Sequence, residues 1–147
     1  MYLEKNYSSE NNRLIPSEPA AEAKMYQRIF ESENVMSKVI DPIAYVRFLT
    51  EKEKWNTDQF ETAVSELKLW NGYLEGTQYL AGESFSLADV MFFPYLAILV
   101  RLGVKFEKNT NLQNYYDHIS KRPSIQETMP PHWKENPSPN TMEDLVA

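Results

Sequence analysis

Few side chains in this chain could do chemistry. The 147 residues include two histidines and no cysteine, so disulfides, thiolate zinc sites and thiol redox reactions are excluded. Neither His118 nor His132 has a Cys, Asp or His partner at metal-ligand spacing, and we expect no metal site. We expect His132, between Pro131 and Trp133, to dock the chain's tail, and His118 to lie on a polar helix face.

The acidic side chains, 21 in number, predict mostly solvated charge, as at Asp117, rather than paired catalytic carboxylates. Asp89 is the exception. The run Ser86-Leu87-Ala88-Asp89 has the spacing of a capping box, in which Ser86 and Asp89 satisfy each other's backbone N–H groups at a helix start. Phe85 and Val90 hold the two positions of a hydrophobic staple. We therefore expect Asp89 to be buried and its role to be architectural.

The helix that this box begins should run from Leu87 to about Leu102. It is apolar on every face, which predicts a central, buried position. It is shorter than the roughly 20 apolar residues that a bilayer needs, and Pro94 should bend it. Since neither a signal peptide nor a membrane span is visible, we expect a cytoplasmic protein.

The other elements that position these residues also have helical patterns. A helix from Pro19 to about Leu49 is predicted, kinked or ended near Asp41 by Pro42. Its predicted apolar stripe comprises Ala21, Met25, Ile29, Met36, Val39, Ile40 and Ile43.

Asn56 or Thr57 can cap the next helix, which should end before Gly76. Its predicted buried face comprises Phe60, Val64, Leu67, Trp70 and Leu74. A shorter helix is predicted from about Asn111 to Lys121, followed by a turn from Pro123 to Thr128.

The composition fits one helical domain. Hydrophobic residues make up 42% of the chain, enough for one core, and the net charge of −6 argues against a nucleic-acid surface.

Several motifs together resemble the C-terminal domain of cytosolic glutathione transferases. The Leu80-Ala81-Gly82 loop followed by the Ser86–Asp89 box is the first. The others are Leu112-x-x-Tyr115-Tyr116-x-x-Ile119, then Lys121-Arg122-Pro123-Ser124-Ile125, and Pro130-Pro131-His132-Trp133, which is similar to the tail of rho-class members.

The resemblance implies an all-α helical bundle over residues 16–133. Residues 1–15 would be a remnant of the preceding domain's last helix and a linker, and residues 134–147 a flexible tail. The family's N-terminal thioredoxin-like domain, which holds glutathione and supplies the thiol-activating residue, has no counterpart in this sequence. No catalytic residue is carried over, and glutathione would be a co-substrate only if that domain were supplied.

The resemblance also implies a pocket for a hydrophobic electrophile. Its wall would be formed by Glu22, Met25, Tyr26 and Ile29, with Trp133 near the tail. For Met25 and Ile29, ordinary core packing is the favoured alternative. The implied partners are an electrophilic small molecule and a thioredoxin-like domain or second subunit.

Two functions remain open. The chain could be the electrophile-pocket half of a glutathione transferase, inactive alone, or a non-catalytic protein-interaction module built on the same helical domain. The family-like apolar stripe and Trp133 favour the first.

Overall fold

The computed structural model describes residues 1–9, 12–42 and 57–136. Within them the chain forms seven α-helices and no strand, which confirms the predicted all-α class. None of the helices in these ranges is long and apolar enough to cross a membrane. In chain order the helical elements are α1 (Tyr2–Tyr7), α2 (Pro19–Val35), a π-helical turn (Met36–Ile40), α3 (Thr57–Tyr73), α4 (Leu87–Arg101), α5 (Thr110–Ile119), α6 (Pro123–Thr128) and α7 (Pro131–Glu135).

Helix α4 lies at the centre of the fold, in contact with α2, α5 and the π-turn. It begins at Leu87 as predicted and continues through Pro94. The expectation that it is buried on every face is wrong at one edge, because Val90 and Met91 are each 40% exposed.

Helix α2 begins at Pro19, as predicted, and Glu18 caps it. The Glu18 carboxylate accepts hydrogen bonds from the backbone N–H groups of Ala20 at 3.0 Å and Ala21 at 2.7 Å. Proline at the first helical position costs little, because its missing N–H would have had no partner inside the helix.

The buried stripe of α2 differs from the predicted one. Arg28 is buried because its guanidinium lies 3.3 Å from the centre of the Tyr73 ring and its Nη1 pairs with Glu31 at 2.6 Å. Met36, predicted to be buried, is 36% exposed. Polar residues inside the stripe concealed its true register in the sequence. The buried residues recur at spacings of three and four: Met25, Arg28, Ser32, Val35 and Val39.

The chain passes from α2 into the π-turn shortly before Pro42. The Asp41 N–H donates to the Met36 carbonyl, five residues back. Because Pro42 has no N–H and its ring crowds the carbonyl four residues earlier, a widened turn before it relieves the clash. The chain is still helical at Pro42. The predictions for Ile43, Leu49 and a cap at Asn56 lie outside the residues whose placement is described, and Thr57 is the first described residue of α3.

Helix α3 contributes the centre of the core. Trp70 is fully buried, and its ring stacks on Phe92 with centroids 4.2 Å apart. The buried Glu66 carboxylate accepts from Trp70 Nε1 at 3.0 Å and from Lys38 Nζ at 2.8 Å, which ties the π-turn to α3. Of the predicted face, Leu67, Trp70 and Leu74 are buried, and Phe60 and Val64 pack against them half-buried.

The start of α5 is capped by a residue that is remote in sequence. Asn71 Oδ1 accepts from the N–H groups of Asn111 at 2.9 Å and Leu112 at 3.2 Å. The Asn111 side chain donates in turn to the Asn71 carbonyl at 3.1 Å. Asn109, the residue before α5, makes no side-chain cap. The hydrogen-bond acceptor for the first turn of α5 therefore comes from Asn71 on α3.

The end of the chain departs from the predicted boundary. The sequence predicts a flexible tail from residue 134, yet α7 includes Lys134 and ends at Glu135. Pro131 occupies the first turn of this helix, where proline is well tolerated. Residues 137–147 are not among those that the structure describes.

Candidate functional site

The start of α4 is a buried polar centre built on Asp89. Ser86 and Asp89 form the predicted capping box. Asp89 Oδ2 accepts from the Ser86 backbone N–H at 2.8 Å and from its hydroxyl at 2.9 Å. Asp89 Oδ1 accepts from the Leu80 N–H at 3.0 Å and from the Tyr115 hydroxyl at 3.1 Å. One carboxylate therefore joins the preceding loop, α4 and α5.

Both acids in this centre have shifted pKa values. Burial raises the pKa of Asp89 above 3.8, while the hydrogen bonds from Leu80, Ser86 and Tyr115 act in the opposite direction. Burial, the Asp89 charge and the hydrogen bond to it raise the pKa of Tyr115 well above 10.0. Asp89 is fully buried, as expected, and is therefore out of reach of a substrate.

The staple proposed beside the box stays a prediction. The Phe85 ring packs against Tyr79, with centroids 6.1 Å apart, and beneath the Arg122 guanidinium. Val90 is 40% exposed on the neighbouring turn of α4.

The residues predicted to form the pocket wall do not share one environment. Met25 is fully buried in the core, in keeping with the packing interpretation. Glu22, Tyr26 and Ile29 are half-buried and share one face of α2 with Glu33, at spacings of four, three and four. We call these four residues the α2 flank.

Tyr95 borders the α2 flank from the central helix. Its hydroxyl donates to Glu33 Oε1 across 3.4 Å. Partial burial, followed by the Glu33 charge and this bond, raises the pKa of Tyr95 above 10.0. The sequence reasoning missed both residues. Helical spacing from Tyr26 could have indicated Glu33, but not Tyr95, which is on a separate helix.

Trp133 lies beside Arg101, at the C-terminal end of α4. Arg101 Nη1 donates to the Trp133 carbonyl at 3.3 Å, and its guanidinium lies 5.0 Å from the centre of the indole. Trp133 lines a groove of about 640 Å³ together with Ala97, Val100, Arg101, Tyr116, Gln126, Met129, Lys134 and Asn136. No residue of the α2 flank lines this groove, so the structure does not join Trp133 to the predicted wall there.

A larger groove, of about 890 Å³, runs between the linker before α2, the loop before α4, and helices α4 and α6. We call it the α4–α6 groove. Apolar side chains form much of its surface, and Arg13, Arg122 and Glu83 are its charged groups. Its lining consists of Asn12, Arg13, Leu14, Tyr79, Glu83, Ser84, Phe85, Val90, Pro94, Arg122, Ser124, Ile125 and Thr128.

Each of the two histidines lies beside an aromatic side chain. His118 is exposed, as expected, and its Nε2 lies 3.1 Å from the Tyr79 hydroxyl. The His132 ring packs edge-on near Trp133, with centroids 6.4 Å apart. In the described ranges no three His, Asp or Glu side chains are grouped so that they could hold a metal ion.

Comparison with known proteins shows which family has this fold. The model of the glutathione S-transferase C-terminal domain matches residues 23–123. Glutathione S-transferase A of Pleuronectes platessa is 42% identical over 97% of this chain, which spans 65% of that protein's length.

Solved structures agree. A crystal structure of a glutathione S-transferase from the Antarctic clam Laternula elliptica matches 99% of this chain at a TM-score of 0.91 and 36% identity, and this chain covers 68% of it. A delta-class glutathione transferase from Nilaparvata lugens shares the fold at a TM-score of 0.73 and 20% identity. The chain belongs to the glutathione S-transferase family, through that family's C-terminal domain.

Proposed function

We propose that this chain supplies the electrophile-binding half of a cytoplasmic, rho-like glutathione transferase, and that a thioredoxin-like domain must supply the glutathione site. The observation that carries the proposal is the α2 flank itself. Within a domain of this family it presents a half-buried aromatic hydroxyl and aliphatic surface side by side. Such a mixture suits a hydrophobic ligand with one polar end. The rho-like assignment has its support in the Pro130-Pro131-His132-Trp133 tail.

Tyr95 gives the α2 flank a second function in this proposal. Its hydroxyl is protonated near neutral pH, since the pKa of Tyr95 is raised above 10.0 by burial and by Glu33. Its present bond to Glu33 is long, at 3.4 Å, and weak for an O–H donor, so it can be exchanged for a bond to a ligand. A hydroxyl aimed at the electrophile would stabilise the negative charge that develops there when a thiolate adds.

Conjugation also needs an activated thiol, because the thiolate rather than the thiol is the nucleophile. No residue of this chain corresponds to the family's thiol-activating residue. We infer that the chain alone does not conjugate glutathione, and that activity requires the additional domain.

The test is a chimera in which this chain replaces the 68% of the clam enzyme that it matches. We expect it to conjugate glutathione to chlorodinitrobenzene. Tyr26→Ala should raise the KM for the electrophile at least fivefold and leave the KM for glutathione unchanged. Lys24→Ala, an exposed change on the same helix, is the matched control. A chimera that binds glutathione but does not conjugate it would refute the proposal. An unchanged KM for the electrophile in Tyr26→Ala would show that Tyr26 does not contact the electrophile.

The second candidate is the interaction module. The observation in its favour is the apolar surface of α1, where Tyr2, Leu3 and Tyr7 are each 70% exposed. A chimera that folds as one unit but remains inactive with every electrophile tested would favour this function.

A further inference from the structure

Tyr79 and His118 form a hydrogen-bonded pair that is separate from the α2 flank. The Tyr79 hydroxyl lies 3.1 Å from His118 Nε2. When the proton of the neutral imidazole is on Nδ1, Nε2 is the acceptor and the Tyr79 hydroxyl is the donor. A hydroxyl within about 2.6–3.2 Å of a basic side chain is the arrangement that activates a nucleophile in covalent catalysis. The pair therefore has the geometry of a nucleophile and its general base.

Aromatic packing holds the two side chains in this orientation. The Tyr79 ring packs edge-on against the His118 imidazole, with centroids 5.5 Å apart, and against Phe85. The Arg122 guanidinium in turn covers the Phe85 ring at 3.8 Å from its centre. Tyr79 is half-buried, whereas His118 is exposed on α5. The hydroxyl is thus positioned by its neighbours, and the imidazole can exchange a proton with solvent.

Both members of the pair line cavities. Tyr79 lines the α4–α6 groove, and His118 lines a smaller pocket of about 330 Å³ between the end of α3 and α5, which we call the His118 pocket. The side-chain amides of Gln78 and Asn114 are exposed there and supply N–H donors. The lining contains no carboxylate, lysine or arginine and consists of Leu74, Gly76, Thr77, Gln78, Asn111, Asn114, Tyr115 and His118.

The Tyr79–His118 bond differs from the bond between Tyr115 and Asp89, which is fully buried. A hydrogen bond in contact with water adds little to stability, because water can replace either partner. The pair can therefore be altered by substitution without disturbing the core.

We propose that Tyr79 is a site of covalent acylation by small activated acyl donors, with His118 as its general base. The Tyr79 oxygen forms a bond to the acyl carbon while its proton passes to His118 Nε2. The bond between the acyl carbon and the leaving-group oxygen then breaks, and His118 gives the proton to that oxygen or to solvent. The products are an ester on Tyr79 and the free leaving group, and nothing is oxidised or reduced.

The His118 pocket supplies the remaining part of this reaction. In our proposal the carbonyl oxygen of the donor lies in this pocket. The amides of Gln78 and Asn114 then stabilise the negative charge that develops on that oxygen.

This acylation is independent of the proposed function, because it requires neither a thiol nor a second domain. No residue of the α2 flank lines the α4–α6 groove or the His118 pocket. The chain has no cysteine, so the side chain that would compete most strongly for an acyl donor is absent. The reaction can therefore be followed in the chain alone.

The experiment treats the chain with p-nitrophenyl acetate near neutral pH and follows acetylation of each tyrosine by peptide mass spectrometry. We expect Tyr79 to be acetylated at least tenfold faster than Tyr26, a half-buried tyrosine on α2 that serves as the internal control. His118→Gln should lower the rate at Tyr79 at least tenfold and leave the rate at Tyr26 unchanged. Because His118 is exposed, the variant should keep the circular dichroism spectrum of the parent.

The dependence on pH separates a base from a neighbour that only packs against the ring. An imidazole accepts a proton only when it is neutral, so the difference between the parent and His118→Gln should disappear below about pH 5. A difference that persists there would overturn the assignment of His118 as the base.

Two further results would contradict the proposal. Equal rates at Tyr79 and Tyr26, or a rate at Tyr79 that His118→Gln leaves unchanged, would overturn the acylation site. Asn114→Leu, at an exposed position, should slow acetylation of Tyr79 at least threefold. An unchanged rate in Asn114→Leu would overturn the placement of the carbonyl oxygen in the His118 pocket.

Discussion

Asp89 is the residue on which most of the local order depends. Its two oxygens accept four hydrogen bonds, from Leu80, Tyr115 and both donors of Ser86. In a fully buried position each of these donors needs an acceptor, because a buried unpaired donor costs about 1–3 kcal/mol. The carboxylate thus stabilises the helix start and its contact with α5 together.

Replacing this carboxylate should be costly. We expect Asp89→Ala to lower the free energy of unfolding by about 3 kcal/mol, since it removes a cap and leaves several donors without an acceptor. Asp89→Asn should be milder, because the amide oxygen still accepts. Glu83→Ala, at an exposed position before the cap, should change stability by less than about 0.5 kcal/mol. Equal effects of Asp89→Ala and Glu83→Ala in urea unfolding would contradict this account.

The raised pKa of Tyr115 predicts a pH dependence. In the folded chain Tyr115 keeps its proton at a pH where the unfolded chain, with a pKa of 10.0, loses it. The folded state then binds more protons, so stability falls as the pH rises through 10.0. The Tyr115→Phe variant has no hydroxyl at this position and so does not lose stability in this way at high pH. Near neutral pH it should be less stable than the parent by about 1.5–3 kcal/mol, because it lacks the hydrogen bond to Asp89.

The gap in stability between the parent and Tyr115→Phe should therefore narrow as the pH is raised past ten, measured by urea unfolding at each pH. Tyr7→Phe, at an exposed position on α1, provides the comparison and should keep a constant gap. A Tyr115→Phe gap that stays constant would mean that the Tyr115 hydroxyl is not buried against Asp89.

At the scale of elements, the ends of helices in this fold are capped by groups from other parts of the chain. α3 caps α5 through Asn71, and the linker carbonyl of Leu14 takes the first N–H of α4. The buried Glu66 ties the π-turn to α3 through Lys38. Short helices such as α5, of ten residues, are marginal alone and depend on these contacts.

Asn71 offers the clearest test of this dependence. Asn71→Ala should destabilise the chain by about 0.5–2 kcal/mol, the usual cost of losing an N-cap. Asn71→Asp keeps the accepting oxygen and places a negative charge at the start of α5, where the helix dipole favours it, so it should be neutral or slightly stabilising. Thermal unfolding followed by circular dichroism distinguishes the two. An Asp variant as unstable as the Ala variant would show that the Asn71 side chain does not act as a cap.

At the scale of the whole molecule, the described residues share one core and expose apolar surface on α1 and in the α4–α6 groove. We expect the chain alone to give a helical circular dichroism spectrum and to show no retention on glutathione resin. The physical reason is that the helical domain has a core of its own, whereas the proposed function assigns the tripeptide site to an additional domain. Specific retention, with elution by free glutathione, would contradict this.

The amino-acid sequence by itself determined the features that depend on neighbours within one or two helical turns. The Ser86–Asp89 box, the proline at the start of α2, the end of α3 before Gly76 and the extents of α5 and α6 all follow from such local chemistry. The all-α class follows as well, because helical periodicity is repeated along the chain.

Only the tertiary structure decided which remote groups meet. Tyr115 reaches Asp89 from 26 residues away, and Asn71 reaches Asn111 from 40, distances at which no local pattern exists. The true stripe of α2 was hidden because Arg28 is polar, and burial became possible only once Tyr73 covered its guanidinium. The exposed edge at Val90 was hidden for the opposite reason, since an apolar residue on a helix that is otherwise core looks in sequence like every other core residue.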